Sequence, residues 1–411
     1  MKKVALLLLL GAGCLGVTAA TAAAEPGVPV YRLQLTEKAL GRLLDHQQRI
    51  RTLDFLTAND RLWVPATLLH DGEAYDVKLR LRGDLPAHWR GSKPSYRVKF
   101  KGRLLDGRKE IDLIVPWDKH YAVEWLQTRV ARDLGLLAFP GRFVDVAING
   151  RSQGLYYESE HPTRQYLERN GRVPSSIFTF GANWTFFFGQ KYHHIVFQRV
   201  GSRSSPPFES AAQVKQRATW DPDTPELARR QLGYMLEFYE LVTEGRADAV
   251  RRRAPDYLDL EKFARFVALQ NFFGSNHGMA LNDNTRLYLD PTSGKFEFIP
   301  WDTGLRSLDE RARARKLPVA ALLTPEDAVF RVLLTAIPGV REARDAALAG
   351  LVARGEAYRR ALDDRHAELL RQYPDEERLR QQRERHDRVF RENVAQLAAV
   401  LGVAAASGPS Q

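Results

Sequence analysis

The sequence predicts an α+β protein of two lobes with a C-terminal helical region, behind an N-terminal signal peptide. Three observations predict it. Residues 62–160 alternate apolar and polar positions in strand-length runs separated by turn residues. Residues 263–304 pass from a helical repeat through a polar loop into two short strands. Beyond residue 320 apolar positions recur at helical spacing nearly to the end of the chain.

The N-terminus reads as an address. Lys2 and Lys3 precede an apolar run from Val4 to about Val17, and Ala22-Ala23-Ala24 precede Glu25-Pro26. That is the order of a signal peptide, with small residues where cleavage needs them, so residues 1–24 are assigned to it. The expected location is periplasmic, secreted or associated with the cell envelope. The only cysteine, Cys14, lies in this segment. Gly11-Ala12-Gly13 before it lack the large aliphatic residue of a lipoprotein signal, so anchoring through Cys14 is the weaker reading. A chain cleaved after Ala24 has no thiol, and therefore no disulfide and no thiolate metal site. No later run is long and apolar enough for a transmembrane span. The net charge of +11 favours an acidic or phosphorylated partner. No recognised nucleic-acid module accompanies that charge, which argues against nucleic acid.

Residues 25–69 form a lead-in, with a short strand over 30–35 and a helix over 36–49 capped by Thr36. Residues 63–69 and 74–82 flank Asp71-Gly72 as a hairpin. In the second of these strands Tyr75, Val77, Leu79 and Leu81 alternate with Lys78, Arg80 and Arg82. Residues 95–101 repeat the pattern, with Tyr96, Val98 and Phe100 against Arg97, Lys99 and Lys101. Two basic strand faces joined by a loop holding Gly83, Gly91 and Ser92 are suited to phosphate oxygens. A helix is expected over 118–137, ending at Gly135. Strands 142–148 and 154–160 flank Asn149-Gly150, the strongest hairpin signal in the chain. Residues 177–220 are aromatic-rich and hard to divide. His193-His194 in that stretch is discounted as a metal pair, because neighbours on a strand point to opposite faces.

Residues 263–304 are the expected functional centre. Phe263, Phe266, Val267, Gln270 and Phe273 mark a buried helix ending at Gly274. The polar run 275–285 leads to a hairpin, 286–289 and 295–300, closed by Trp301-Asp302-Thr303-Gly304. Helix, polar loop, hairpin and Asp-x-Gly is the order in the lower lobe of a protein kinase, where a catalytic loop and a metal-binding Asp bracket a small hairpin. A surface hairpin preceded by a polar turn is the competing reading.

Several stretches together resemble the spore coat protein H (CotH) kinase family. They are Arg82-Gly83 with Lys-Pro-Ser-Tyr-Arg-Val-Lys-Phe over 93–100, Leu-Gly-Leu over 134–136, the Asn149-Gly150…Gly154-Leu155-Tyr156…Glu160 hairpin, and Phe-Ile-Pro-Trp-Asp-x-Gly over 298–304. The match runs from about residue 70 to 345. The resemblance implies an atypical protein-kinase-like two-lobed fold, with an upper lobe over about 70–162 and a lower lobe over about 163–345. Helices over 346–403 and a disordered tail over 404–411 follow. It also implies use of ATP and Mg²⁺ or Mn²⁺ to phosphorylate Ser or Thr of an exported protein. On that scheme Lys99 is the nucleotide-phosphate lysine, with Lys93 and Arg97 as alternatives, and Glu124 pairs with it. Glu160 stands near the nucleotide base. Asp302 ligates the metal, and Asn282 or Asn284 supplies a second contact.

The sequence departs from the family pattern in one important respect. The catalytic-loop Asp expected ahead of the Asn is absent, and kinase spacing from Asn282 lands on His277. Three readings stay open: His277 is the base, Asp283 reaches the site instead, or no base is present. Gly304 stands where many members carry a second Asp. The leading function is phosphoryl transfer to Ser or Thr of an envelope, coat or secreted protein. The alternative is a weak or inactive relative that acts as a binding or assembly factor in the envelope.

Overall fold

The computed structural model describes residues 27–53, 56, 60–180, 214–217, 225–244, 246–279 and 284–404. The signal-peptide assignment with Cys14, the His193-His194 pair, Asn282, Asp283 and residues 405–411 lie outside them.

The N-terminal half is β1 (Val30–Gln34), α1 (Glu37–Ile50), β2 (Val64–His70), β3 (Glu73–Leu81), β4 (Tyr96–Phe100), β5 (Glu110–Ile114), α2 (Ala122–Asp133), β6 (Gly141–Ile148) and β7 (Arg151–Glu160). The strands close in the order β1-β2-β3-β4-β5-β7-β6. Closure comes from parallel pairing of β1 with β6, Val30 opposite Asp145 and Leu33 opposite Ile148. Inward positions such as Leu33, Val64, Val77, Leu79, Val98, Ile111 and Val146 fill the interior. Complete burial of each is worth about 1.5–3 kcal/mol.

This closed seven-stranded barrel with packed helices points to a different fold from the two-lobed, protein-kinase-like arrangement expected from the sequence. The physical reason lies in two strands. The lead-in strand β1 is a stave of the barrel, not a preliminary to it. β5, which the sequence reading left unassigned, completes the wall, with Glu110 and Asp112 buried on its outer side beneath Arg97.

Local rules hold well inside this frame. Thr36 caps α1 by accepting the Ala39 amide at 3.2 Å. Asn149 and Gly150 take φ of +46° and +79°, as a tight turn between β6 and β7 requires.

The C-terminal half follows α3 (Arg164–Arg169), with β8 (Ile177–Phe180), β9 (Val214–Arg217), α4 (Pro225–Glu244), α5 (Ala247–Tyr257) and α6 (Leu260–Phe272). Next are β10 (Arg286–Asp290), β11 (Lys295–Ile299), α7 (Leu308–Arg315), α8 (Val319–Leu322), α9 (Ala328–Ala336), α10 (Val340–Ala353), α11 (Gly355–Gln372) and α12 (Glu377–Leu401). The expected hairpin is present but belongs to a four-stranded sheet, β11-β10-β8-β9. The core packs α6 against β11 and α9, with Phe266 stacked on Phe298 at 5.2 Å and Phe298 against Phe330 at 5.2 Å. No helix among the described residues is long and apolar enough to cross a membrane.

Candidate active site

A cavity of about 410 Å³ opens where one end of the barrel meets the four-stranded sheet. The barrel side contributes the loop after β3 and a 3-10 turn, Pro116–Lys119, that leads into α2. The other side contributes the loop after α6, the start of β10 and the end of β11.

Lys119 is the centre of this arrangement. Its side chain is buried, with Nζ 2.7 Å from Asp302 Oδ1 and 3.9 Å from Glu124 Oε1. The ammonium also lies 4.3 Å above the centre of the Trp301 ring. Burial opposes the charge on Lys119, but Asp302 and Glu124 outweigh it and raise its pKa. Burial likewise raises the Asp302 carboxyl, yet Lys119 and His277 prevail and hold it below the usual carboxylate value. Burial wins at Glu124, whose pKa is raised.

Asp302 stands at φ +53°, a left-handed conformation that turns the chain sharply out of β11. Several side chains brace the turn. The Thr303 amide donates to Gln127 Oε1 at 3.1 Å, and Gln270 Nε2 donates to Thr303 Oγ1 at 3.0 Å. Ser275 Oγ donates to the Thr303 carbonyl and accepts the His277 amide at 3.2 Å. His277 Nδ1 lies 2.7 Å from the Asp302 carbonyl, which can only accept, so Nδ1 carries a proton. Asn284 Nδ2 lies 3.0 Å from Nε2 on the other side of the ring.

The barrel rim adds cations and a second carboxylate. Arg97 grips Asp112 with Nε at 2.5 Å and Nη2 at 2.8 Å. Arg82 reaches both Asp112 and Asp118 at 3.3 Å, and His88 Nδ1 lies 3.2 Å from Asp118. Burial pushes the Asp118 carboxyl up, but His88 and Arg82 reverse this and hold it well below the usual range. Gly83, at φ +87°, is packed so tightly that a Cβ there would lie 2.2 Å from the His88 ring. Arg286 lies over Trp301 at 4.5 Å on the opposite wall.

The candidates from sequence are distributed unevenly. Asp302, His277 and Asn284 come together, Arg97 lines the rim, and Glu124 reaches the site through Lys119. Lys99 points outward from β4, exposed, and does not line the cavity. Lys93 lies over Tyr156 at 4.9 Å and Trp117 at 5.7 Å, also away from the cavity lining. Glu160 is buried at the end of β7 against Arg169, with Oε1 lacking a hydrogen-bond partner. Sequence reasoning missed Lys119, Asp118 and Gln127. A signal for the first two existed: Pro-Trp-Asp occurs at 116–118 and again at 300–302, and both Asp residues line the cavity.

Lysine and arginine side chains beside two carboxylates suit a polyphosphate and a hard cation. No three His, Cys, Asp or Glu side chains among the described residues form a metal-ligating group. Mg²⁺ is commonly held by one or two carboxylates together with substrate phosphates, so Asp302, with Asn284 nearby, fits such a role.

The family model described as CotH kinase protein matches residues 79–396. The chain is also similar to inner spore coat protein H of Bacillus subtilis (strain 168), 22% identical over 242 residues. That similarity covers 58% of this chain and 61% of the relative, so the chain spans about three fifths of the relative's length. With the model covering well over half its residues, the chain belongs to the CotH kinase protein family.

Proposed function

We propose that this protein transfers the γ-phosphate of ATP to Ser or Thr hydroxyls of an exported envelope or coat protein. The observation that carries the reading is the Lys119–Asp302 pair at 2.7 Å, with Glu124 behind it and His277 and Asn284 beside it, in one cation-lined cavity. The proposal rests on this site and on family membership, not on a kinase-like fold. A coat or envelope setting is supported by the name of the relative and by the signal-like N-terminus.

Bound Mg²⁺ or Mn²⁺ would neutralise phosphate oxygens and favour in-line transfer. Asp302 would hold it through Oδ2, since Oδ1 is engaged by Lys119, and Asn284 would add an oxygen. Lys119 fixes the Asp302 carboxylate and presents positive charge to the phosphates. Arg82, Arg97 and Arg286 line the space for the remaining anionic oxygens. His277 accepts the hydroxyl proton at Nε2 when the Asn284 amide swings away, while Nδ1 stays anchored on the Asp302 carbonyl. Asp283 is the alternative base.

A specific observation favours a second reading. Nε2 of His277 is capped by Asn284. A protein locked in this state would bind nucleotide and serve as an assembly factor without efficient transfer.

The test is incubation of the chain with ATP labelled at the γ-phosphate, with Mg²⁺ or Mn²⁺, beside Asp302→Asn. Asn keeps the left-handed backbone accessible, so the variant removes charge without adding strain. Loss of labelling by about 100-fold or more supports transfer. Nucleotide-dependent thermal stabilisation without labelling supports the binding role. Absence of both removes the proposal, and acceptor labelling in a parallel reaction with ATP labelled at the α-phosphate assigns nucleotide transfer instead.

A further inference from the structure

The outer face of β3 and β4 carries a ladder of like charges. Arg80 stands directly opposite Arg97, and Lys78 directly opposite Lys99. Like charges in such positions destabilise a sheet. Arg97 is neutralised by Asp112, and Glu110, opposite Lys99 on the other side, lies 3.6 Å from Arg97 and 3.7 Å from His161. The ladder's outer part has facing carboxylates, Glu110 opposite Lys99 and Asp76 beside Lys101, but no close ion pair. Lys78, Lys99 and Lys101 are exposed, and none makes an ion pair among the described residues. Arg80 is buried over Trp63 at 5.0 Å, with a backbone carbonyl but no carboxylate as its hydrogen-bond partner and with Nε unpartnered. Burial, with Arg97 beside it, lowers its pKa to about 9. Asp76, whose carbonyl takes the Lys101 amide, stands at the far end.

This ladder begins at the cavity. Arg97 lines the rim, Lys99 follows two residues along β4, and Lys101 follows two further on. Alternate residues of a strand lie about 7 Å apart, which is also the spacing of alternate side chains in an extended peptide. A peptide whose hydroxyl enters the cavity can therefore set a side chain near each rung. Bases of a nucleic acid would need aromatic platforms, and the large hydrophobic side chains exposed among the described residues are Leu44, Val173, Leu317 and Val400, none aromatic.

We propose that the β3–β4 face is the docking surface for the acceptor polypeptide, and that this acceptor carries Asp or Glu at alternate positions beside the phosphorylated Ser or Thr. The proposal rests on the phosphoryl-transfer reading for its placement, while its charge chemistry is independently measurable. The lysines hold the acidic side chains by long-range attraction, so docking weakens with salt.

The probes are short synthetic peptides with one Ser flanked by alternating Asp, Lys or Ala, and oligothymidylate of the same charge as the acidic peptide. Fluorescence anisotropy without nucleotide should rank the acidic peptide tightest. Lys78→Glu, and separately Lys78→Ala with Lys99→Ala, should weaken it by about tenfold. Lys78→Glu also relieves the repulsion with Lys99, so its melting temperature should not fall, which separates lost docking from lost folding. Equal binding of acidic and basic peptides overturns the proposal, and tighter binding of oligothymidylate overturns it in favour of nucleic acid. Label transfer then separates the two readings. Acidic peptide that binds but is never labelled removes the transfer reading and leaves the surface. Labelling without acidic preference, with KM unmoved in the variants, removes the surface and leaves the transfer reading.

Discussion

Lys119 Nζ lies 2.7 Å from Asp302 Oδ1, joining the turn ahead of α2 to the end of β11 across 183 positions of sequence. Substituting Lys119 tests how much the meeting of barrel and sheet depends on that contact. Lys119→Met leaves the buried Glu124 and the partly buried Asp302 without their cation. The expected loss is about 3 kcal/mol, read as a lower urea midpoint. Adding Glu124→Gln should recover part of that stability without restoring label transfer. Full stability in the single variant would mean that the pair does not hold the two halves together.

Gln127 is expected to act through Asp302. Gln127→Ala leaves the buried Thr303 amide without an acceptor, at a cost of about 1–3 kcal/mol. Because the Asp302 turn loses a brace, kcat for transfer should fall more than the KM for ATP rises. Steady-state kinetics at a temperature well below the melting transition separate this from simple unfolding.

Gly274 begins the loop that carries His277. Its φ of +64° disfavours any side chain, and a Cβ would lie 2.1 Å from the Arg306 carbonyl oxygen. Gly274→Ala should therefore cost at least about 2 kcal/mol from strain and overpacking together. A denaturation midpoint equal to that of the unmodified chain would contradict the packing described.

Acid should destabilise the protein through its buried histidines. His366 in α11 lies against His386 in α12, with ring nitrogens 3.3 Å apart, and His386 faces His120 at 6.5 Å between ring centres. Burial lowers His366 from 6.5 to about 4; the Leu362 carbonyl and Asp363 oppose the shift, and Arg383 adds to it. Burial, with His366, His120 and Arg385, pushes His386 well below its ordinary value. The unfolded chain thus takes up these protons first, so stability is lost as pH falls from about 6.5 towards 4. His366 alone accounts for about 2 kcal/mol between pH 7 and pH 5. Urea midpoints at those two pH values should differ accordingly, and His366→Gln should flatten the difference.

The sequence was most legible where chemistry is local. The Asn149-Gly150 turn, the Thr36 cap, the end of α6 near Gly274 and the hairpin before Asp302 each follow from a few adjacent residues. It was least legible where pairing is distant. Nothing near Val30 announces a parallel partner at Asp145, so the barrel could not be read from strand patterns. The same division runs through the site. Asp302 closes a recognisable hairpin, whereas Lys119 stands in a 3-10 turn that has no periodicity to detect. Alternation correctly put Arg97 and Lys99 on one face, but which rung reaches the cavity depends on where the barrel ends.

The β6–β7 hairpin occupies two places in the barrel wall at once. β7 covers the free side of β5 while β6 covers the free side of β1. During synthesis, the curl formed by β1 to β5 therefore keeps two unpaired edges until residues 141–160 emerge, and open edges recruit other chains. A two-residue turn between adjacent strands lets that hairpin form within about 1–10 μs of becoming available. The barrel's last two staves thus assemble quickly once made, which shortens the interval in which a growing chain can aggregate.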